Sequence, residues 1–250
     1  MNSFETAAKE LLSRRKAGTK APCLDESIRP TSNDEALAIQ GEMAKLHKVK
    51  GWKCLLPPAE GKIVVAPIFD VQQDTNTIEL YADNGVARVE PEIGFVLARP
   101  LGPNSSGYTD TEIIDAIGST HMALELIQSR YADDSDKEFA DSLADCMVNQ
   151  GMFVGPEVDK ATAIELSTVQ LSVTQKGGTQ VLYGKHPNPR AIDGLVWLIN
   201  YMTKRGVSFE AGEVIITGSF KGVLDMAFDV ETTIAYQDLA EYTVTFKALV

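Results

Sequence analysis

The chain has 250 residues, 44% of them hydrophobic and 23% charged, with 35 acidic against 23 basic residues and a formal net charge of −12. A chain of this length can bury a core without disulfides or structural zinc, and the composition excludes a disordered, fibrous or low-complexity protein. The acidic balance, with no concentrated basic stripe, argues against nucleic acid or an anionic membrane as partner, and no apolar run is long enough to span a bilayer.

Three cysteines without CxxC spacing, Cys23, Cys54 and Cys146, point to a reducing cytoplasm. With only three histidines, His47, His121 and His186, a metal site is expected to use carboxylates, which suit a hard cation such as magnesium.

In chain order, residues 4–16 carry a helical stripe of Phe4, Ala7, Ala8, Leu11 and Leu12, with Ser3 as a cap. After a loop with Pro22, Asp25 and Pro30, Ser32-Asn33-Asp34-Glu35 reads as a capping box that opens a second helix. Residues 1–50 are therefore expected as a helical segment packed on a mixed-β catalytic unit of residues 51–250, one α+β domain overall. Residues 63–65, 78–81 and 89–97 read as strands. A capping box at Thr109 starts a short helix that Gly118 should end, followed by a strand over 121–128. Strands at 164–174 and 180–183 flank Lys176-Gly177-Gly178, a hairpin signal. Asn188 and Pro189 suit the start of a helix that Gly206 can close, and strands at 214–216, 223–228 and 242–246 complete the chain.

The segment 88–97 carries the first chemical signal. Along a strand Val89, Ile93, Phe95 and Leu97 face the core, leaving Glu90 and Glu92 side by side on the other face. Two such carboxylates repel unless a cation or a shared proton neutralises them; a solvated strand face is the competing explanation. Gly94 would let a ligand approach the backbone, and Pro91 marks an edge or an irregularity. Glu125 lies inside the apolar run 122–127. It must face solvent, pair with a cation such as Arg130, or bind a metal, because an unpaired buried carboxylate is costly.

Glu90-x-Glu92 followed by Glu125 in ALELIQSRY resembles the hydratase/decarboxylase branch of the fumarylacetoacetate hydrolase superfamily, which includes the 2-hydroxypenta-2,4-dienoate hydratases and 4-oxalocrotonate decarboxylases. Further matches follow in the family's order: Gly51-Trp52-Lys53, Phe69-Asp70, Leu143-Ala144-Asp145 with residues 151–155, the segment 191–200, and residues 212–219. The resemblance implies a fumarylacetoacetate-hydrolase-like mixed β-roll with a helical amino-terminal region. It implies a site in which Glu90, Glu92 and Glu125 hold magnesium or manganese, Lys53 and Asp70 do acid–base work, and Thr217, Gly218 and Ser219 close on the substrate carboxylate. The chain departs from the family at Cys54-Leu55-Leu56-Pro57, where G-L-T is usual, and at Cys146, where Asn is common.

The activity so implied is that of a lyase of aromatic-compound catabolism, a hydratase acting on a small 2-oxo acid of 2-oxopent-4-enoate type. A decarboxylase of an oxalocrotonate-like diacid is the second expectation. Hydrolysis of an acylpyruvate ranks third, since its water-activating base is often a His–Glu pair on a lid and only His47 lies in the amino-terminal region. The family also implies a homo-oligomer, and a catalytically silent subunit complexed with a related catabolic enzyme is the non-enzymatic counterpart. Lys53, flanked by Trp52, Cys54 and Leu55, is expected to be desolvated with a depressed pKa, and His121 to support Glu125.

Overall fold

The computed structural model describes residues 2–250. Two helices open the chain, α1 (Ser3–Ala17) and α2 (Asn33–Leu46). Asn2, rather than Ser3, caps α1 by accepting from the Glu5 N–H at 2.7 Å. Ser32 caps α2 as expected, while the Glu35 carboxylate turns back to accept from the Thr31 N–H. There follow β1 (Gly51–Ala59), β2 (Lys62–Ile68), β3 (Val71–Gln73), β4 (Thr77–Leu80), β5 (Ala87–Leu97), α3 (Asp110–Ile114), β6 (Ile117–Ile127) and α4 (Phe139–Ala144). The second half comprises β7 (Asn149–Val158), α5 (Lys160–Glu165), β8 (Thr168–Gln175), β9 (Gly178–Lys185), α6 (Ala191–Thr203), β10 (Val214–Ile216), β11 (Leu224–Met226), β12 (Glu231–Tyr236) and β13 (Ala240–Ala248). Among the described residues no helix is long and apolar enough to cross a membrane.

Three boundaries differ from the sequence expectation. α3 stops at Ile114 and Gly118 lies inside β6, where a Cβ would come within 2.9 Å of Ala98. Residues 160–165 are helical because Asp159 accepts from both the N–H and the hydroxyl of Thr162, so the strand begins only at Thr168. Asn188 does not cap α6; Arg190 holds that position, and the Asn188 side chain bridges the Leu56 N–H and the Thr217 carbonyl. The β8–β9 hairpin forms as expected, with Lys176 and Gly177 at φ 50° and 75°, the two left-handed residues of a type I′ turn.

Among the described residues the strands form two sheets. The larger has the order β2-β1-β10-β5-β6-β7-β3 with β11 beside β5, and the smaller the order β4-β13-β12-β8-β9. This is the expected α+β architecture, with β1 parallel to β10 and antiparallel pairs from β10 through β5 and β6 to β7. One face of the large sheet, through Trp52, Val89, Phe95 and Leu124, shares an apolar cluster with Leu11, Ile39 and Met43 of the opening helices. The other face is dry as well, covered by a second cluster of Ile68, Ala123, Met152, Val154, Val214 and Ile216.

Pro91 sits in mid-strand without loss. It faces Leu124 of β6 on one side, while on the other β5 passes from β11 to β10 and the Pro91 carbonyl accepts from the Phe220 N–H. Gly94 serves packing rather than ligand approach: a Cβ there would lie 3.1 Å from Val214 and 3.3 Å from Ala123.

Between α4 and β7 the residues Cys146, Met147 and Val148 run consecutively at φ 54°, 51° and 61°. Each costs on the order of 1–3 kcal/mol in a non-glycine residue, so the surroundings must enforce the turn. Arg130, fully buried, does so: its Nε donates to Asp145 Oδ1 at 2.7 Å, and the Val148 carbonyl accepts from the Gln128 N–H. Arg130→Met would leave the Asp145 carboxylate buried without its cation, and a loss of about 3–5 kcal/mol in urea unfolding is expected. A loss below about 1 kcal/mol would contradict this role for Arg130.

Candidate metal centre

Strand register assembles the site. In the β5–β6 pair Glu90 stands directly opposite Glu125, and Glu92 opposite Ala123. All three carboxylates therefore project from the same face, with their ligand oxygens within 4.8 Å of one another. Glu125 is 0% exposed and Glu92 2%, while Glu90 is half-buried at the rim.

Few donors answer these carboxylates. Lys53 reaches them from β1 across β10, in the register Lys53–Ile216–Gly94. Its Nζ donates to Glu125 Oε1 at 2.6 Å and to the Met147 carbonyl at 3.2 Å, so the left-handed turn presents its backbone to the site. Asn149 Nδ2 donates to the same Glu125 oxygen at 3.0 Å, and the Gly218 N–H donates to Glu92 Oε2 at 2.6 Å. Gly218 has φ 126°, and a Cβ would lie 2.4 Å from Leu55 Cδ2, so only glycine can bring its N–H there. Glu125 Oε2 is buried without a hydrogen-bond partner.

Burial, reinforced by the Glu125 charge, pushes Glu90 up to about 7. The same causes, with Glu90 added, hold Glu92 well above the usual carboxylate range. Lys53 corrects the expectation of a depressed pKa. Burial is the largest effect on it and acts downward, but Glu125, Glu90 and Glu92 together outweigh burial and hold the ammonium above its ordinary value. Fully ionised, the three carboxylates face one ammonium and retain two uncompensated negative charges. That deficit, the partnerless Glu125 oxygen and the all-oxygen donor set fit a hard divalent cation.

The other candidates are distributed as follows. Gly218 touches the triad through Glu92. Thr217 is buried with its hydroxyl 3.5 Å from His186 Nε2, and the Ser219 hydroxyl lies 3.2 Å from the carbonyls of Pro91 and Gly222. Asp70 is exposed and lines a cavity that none of the triad residues lines. His121 does not support Glu125: its ring nitrogens lie 2.9 Å from Ser119 Oγ and 3.0 Å from the Gly155 carbonyl. Arg130 pairs with Asp145 rather than with Glu125. Met147 and Asn149 went unnoticed in the sequence; the Leu143-Ala144-Asp145 match was the nearby signal.

Among solved structures, the chain is similar to 4-oxalocrotonate decarboxylase from Pseudomonas putida G7 complexed with magnesium and adipate, at TM-score 0.75 and 19% identity over 98% of this chain and 97% of that one. It is also similar to 5-carboxymethyl-2-hydroxymuconate delta-isomerase from Mycobacterium smegmatis, at TM-score 0.53 and 14% identity over 80% and 78%. The fold is thus that of the fumarylacetoacetate-hydrolase-like proteins. In sequence it is 31% identical over 144 residues to the 2-oxo-hept-4-ene-1,7-dioate hydratase of Escherichia coli, a match covering 54% of this chain and 52% of the relative. It is 32% identical over 134 residues to a 2-keto-4-pentenoate hydratase of Paraburkholderia xenovorans, covering 53% and 48%. Against the 2-hydroxyhexa-2,4-dienoate hydratase of Comamonas testosteroni the identity is 27% over 241 residues, 85% of each chain. The chain spans about half the length of the first two relatives, and no family model matches it. These relatives and structures are similar to it in the manner of the hydratase/decarboxylase branch of the fumarylacetoacetate hydrolase superfamily.

The raised carboxylates have a consequence for stability. An unfolded Glu titrates near about 4.3. From there up to the folded value of about 7 for Glu90, and beyond it for Glu92, the unfolded chain releases protons that the folded chain keeps. The triad's penalty is therefore absent at low pH and grows as pH rises. Chelator-treated protein is expected to melt at lower temperature at pH 7.5 than at pH 5.5, and magnesium or Glu90→Gln to shrink that difference. Buried Glu213, also pushed up to about 7, adds a drop of the same sign that metal leaves in place. A magnesium-independent profile would contradict the assignment.

Proposed function

We propose that the chain is a divalent-metal-dependent hydratase of a 2-oxo- or 2-hydroxy-pentadienoate, a lyase of aromatic-compound breakdown. The observation that carries this reading is the convergence of Glu90, Glu92 and Glu125 on one dry sheet face with a single ammonium among them. Such a donor set suits magnesium or manganese. The relatives described above, hydratases of unsaturated 2-oxo or 2-hydroxy acids, support the substrate class.

The chemistry a dication supplies there is Lewis acidity toward the 1-carboxylate and 2-oxygen of the substrate. The chain's own groups orient and move protons. Lys53 spends one N–H on Glu125 and one on the Met147 carbonyl, leaving its third to donate to the substrate 2-oxygen, where negative charge develops on ketonisation. Asn149 and Gly218 hold the carboxylates of Glu125 and Glu92 in place. Thr217, Gly218 and Ser219 form the wall for the substrate carboxylate, and a carboxylate of the triad, rather than the distant Asp70, relays the proton as water adds at C4. A cytoplasmic homo-oligomer, able to associate with a related catabolic enzyme, completes the reading.

The test uses chelator-treated protein mixed with 2-hydroxypenta-2,4-dienoate. Loss of dienol absorbance with formation of 4-hydroxy-2-oxopentanoate is expected only after magnesium or manganese is restored. Glu92→Gln should reduce turnover to background, and Lys53→Met should lower kcat. Carbon dioxide release from 4-oxalocrotonate, without hydration of the dienoate, would replace the hydratase by a decarboxylase. Inertness toward both with metal bound would contradict an enzyme.

A further inference from the structure

A cavity of about 1050 Å³ lies between α1, the segment after α2 and the β2–β3 junction. Leu126 and Gly151, which line it, alternate along their strands with Glu125 and Met152, so it opens on the opposite face of the large sheet from the triad. Its lining runs against the charge of the chain. Five cationic side chains, Arg15, Lys16 and Lys50 among them, meet two carboxylates, Asp70 and Glu79, in a protein of net charge −12.

Arg15 is the group in need of an explanation. It is only 9% exposed, its guanidinium lies 5.6 Å from the centre of the Phe69 ring, and its Nη1 is buried with no hydrogen-bond partner. Of the acidic groups that act on it, the neighbouring Cys146 thiol is held in its neutral form by burial, Asp145 is engaged by Arg130 at 2.7 Å and Asp70 is exposed. Burial, followed by the neighbouring Arg130 charge, holds the guanidinium below its ordinary pKa. A cation so desolvated is costly unless an anion balances it, and a guanidinium presents a planar fork of donors matched to an oxyanion.

We propose that this cavity binds a small oxyanion, a carboxylate or a phosphate, received by Arg15 and Lys50. The site is separate from the triad and does not depend on the hydratase reading. Isothermal titration at fixed ionic strength, with inorganic phosphate and succinate as separate probes, tests it. Saturable one-to-one binding of at least one probe is expected, and which one binds distinguishes a phosphate-bearing ligand from a carboxylate. Arg15→Gln should weaken it at least tenfold. Exposed Lys50→Gln should weaken it severalfold and decides the matter where Arg15→Gln fails to fold, whereas Glu90→Gln should leave it unchanged. Absence of saturable binding by both probes, binding untouched by the Arg15 and Lys50 substitutions, or binding lost in Glu90→Gln would each overturn the proposal.

Discussion

Three carboxylates held within 4.8 Å of one another on an otherwise apolar sheet face are the constraint around which this molecule is arranged. Each buried ion carries a desolvation penalty of several kcal/mol, and like charges at this spacing add to it. The chain supplies one ammonium, one side-chain amide and one peptide N–H, and two of the three fall on the same oxygen of Glu125. That is enough to orient the carboxylates and too little to neutralise them. A deficit of this kind suits a divalent ion and does not suit a purely structural ion pair.

The supporting parts make sense in that light. Consecutive left-handed residues at 146–148 are an expensive way to turn a chain, yet they deliver the Met147 carbonyl to Lys53 and lead directly into Asn149. The Arg130–Asp145 pair beneath them is a buried ion pair of the sort that confers little net stability but specifies one arrangement. Gly218 contributes a backbone N–H where any side chain would strike Leu55.

Much of this was legible in the sequence, for local reasons. Strand alternation alone made Glu90 and Glu92 neighbours, and the capping residues at Ser32 and Thr109 marked two helix starts. The dryness of the carboxylate face was not legible, because Ile68, Met152, Val154, Val214 and Ile216 come from strands scattered along the chain. The cationic partner of Glu125 was not legible for the same reason: Arg130, the competing ion-pair partner, is near in sequence, whereas Lys53 lies 72 positions away and is placed by the β1–β10 pairing. No glycine announced the left-handed turn, and the helix at 160–165 hid in an apolar stretch that Asp159 caps. Asp70 and His121, attached to the site by motif and by parity, have their surroundings elsewhere.

The central claim is that a divalent ion completes the triad, and crystals grown with manganese test it most directly through anomalous scattering. One peak is expected between Glu90, Glu92 and Glu125, at about 2.0–2.6 Å from an oxygen of each. Manganese bound only elsewhere, with Lys53 alone answering the three carboxylates, would contradict the account.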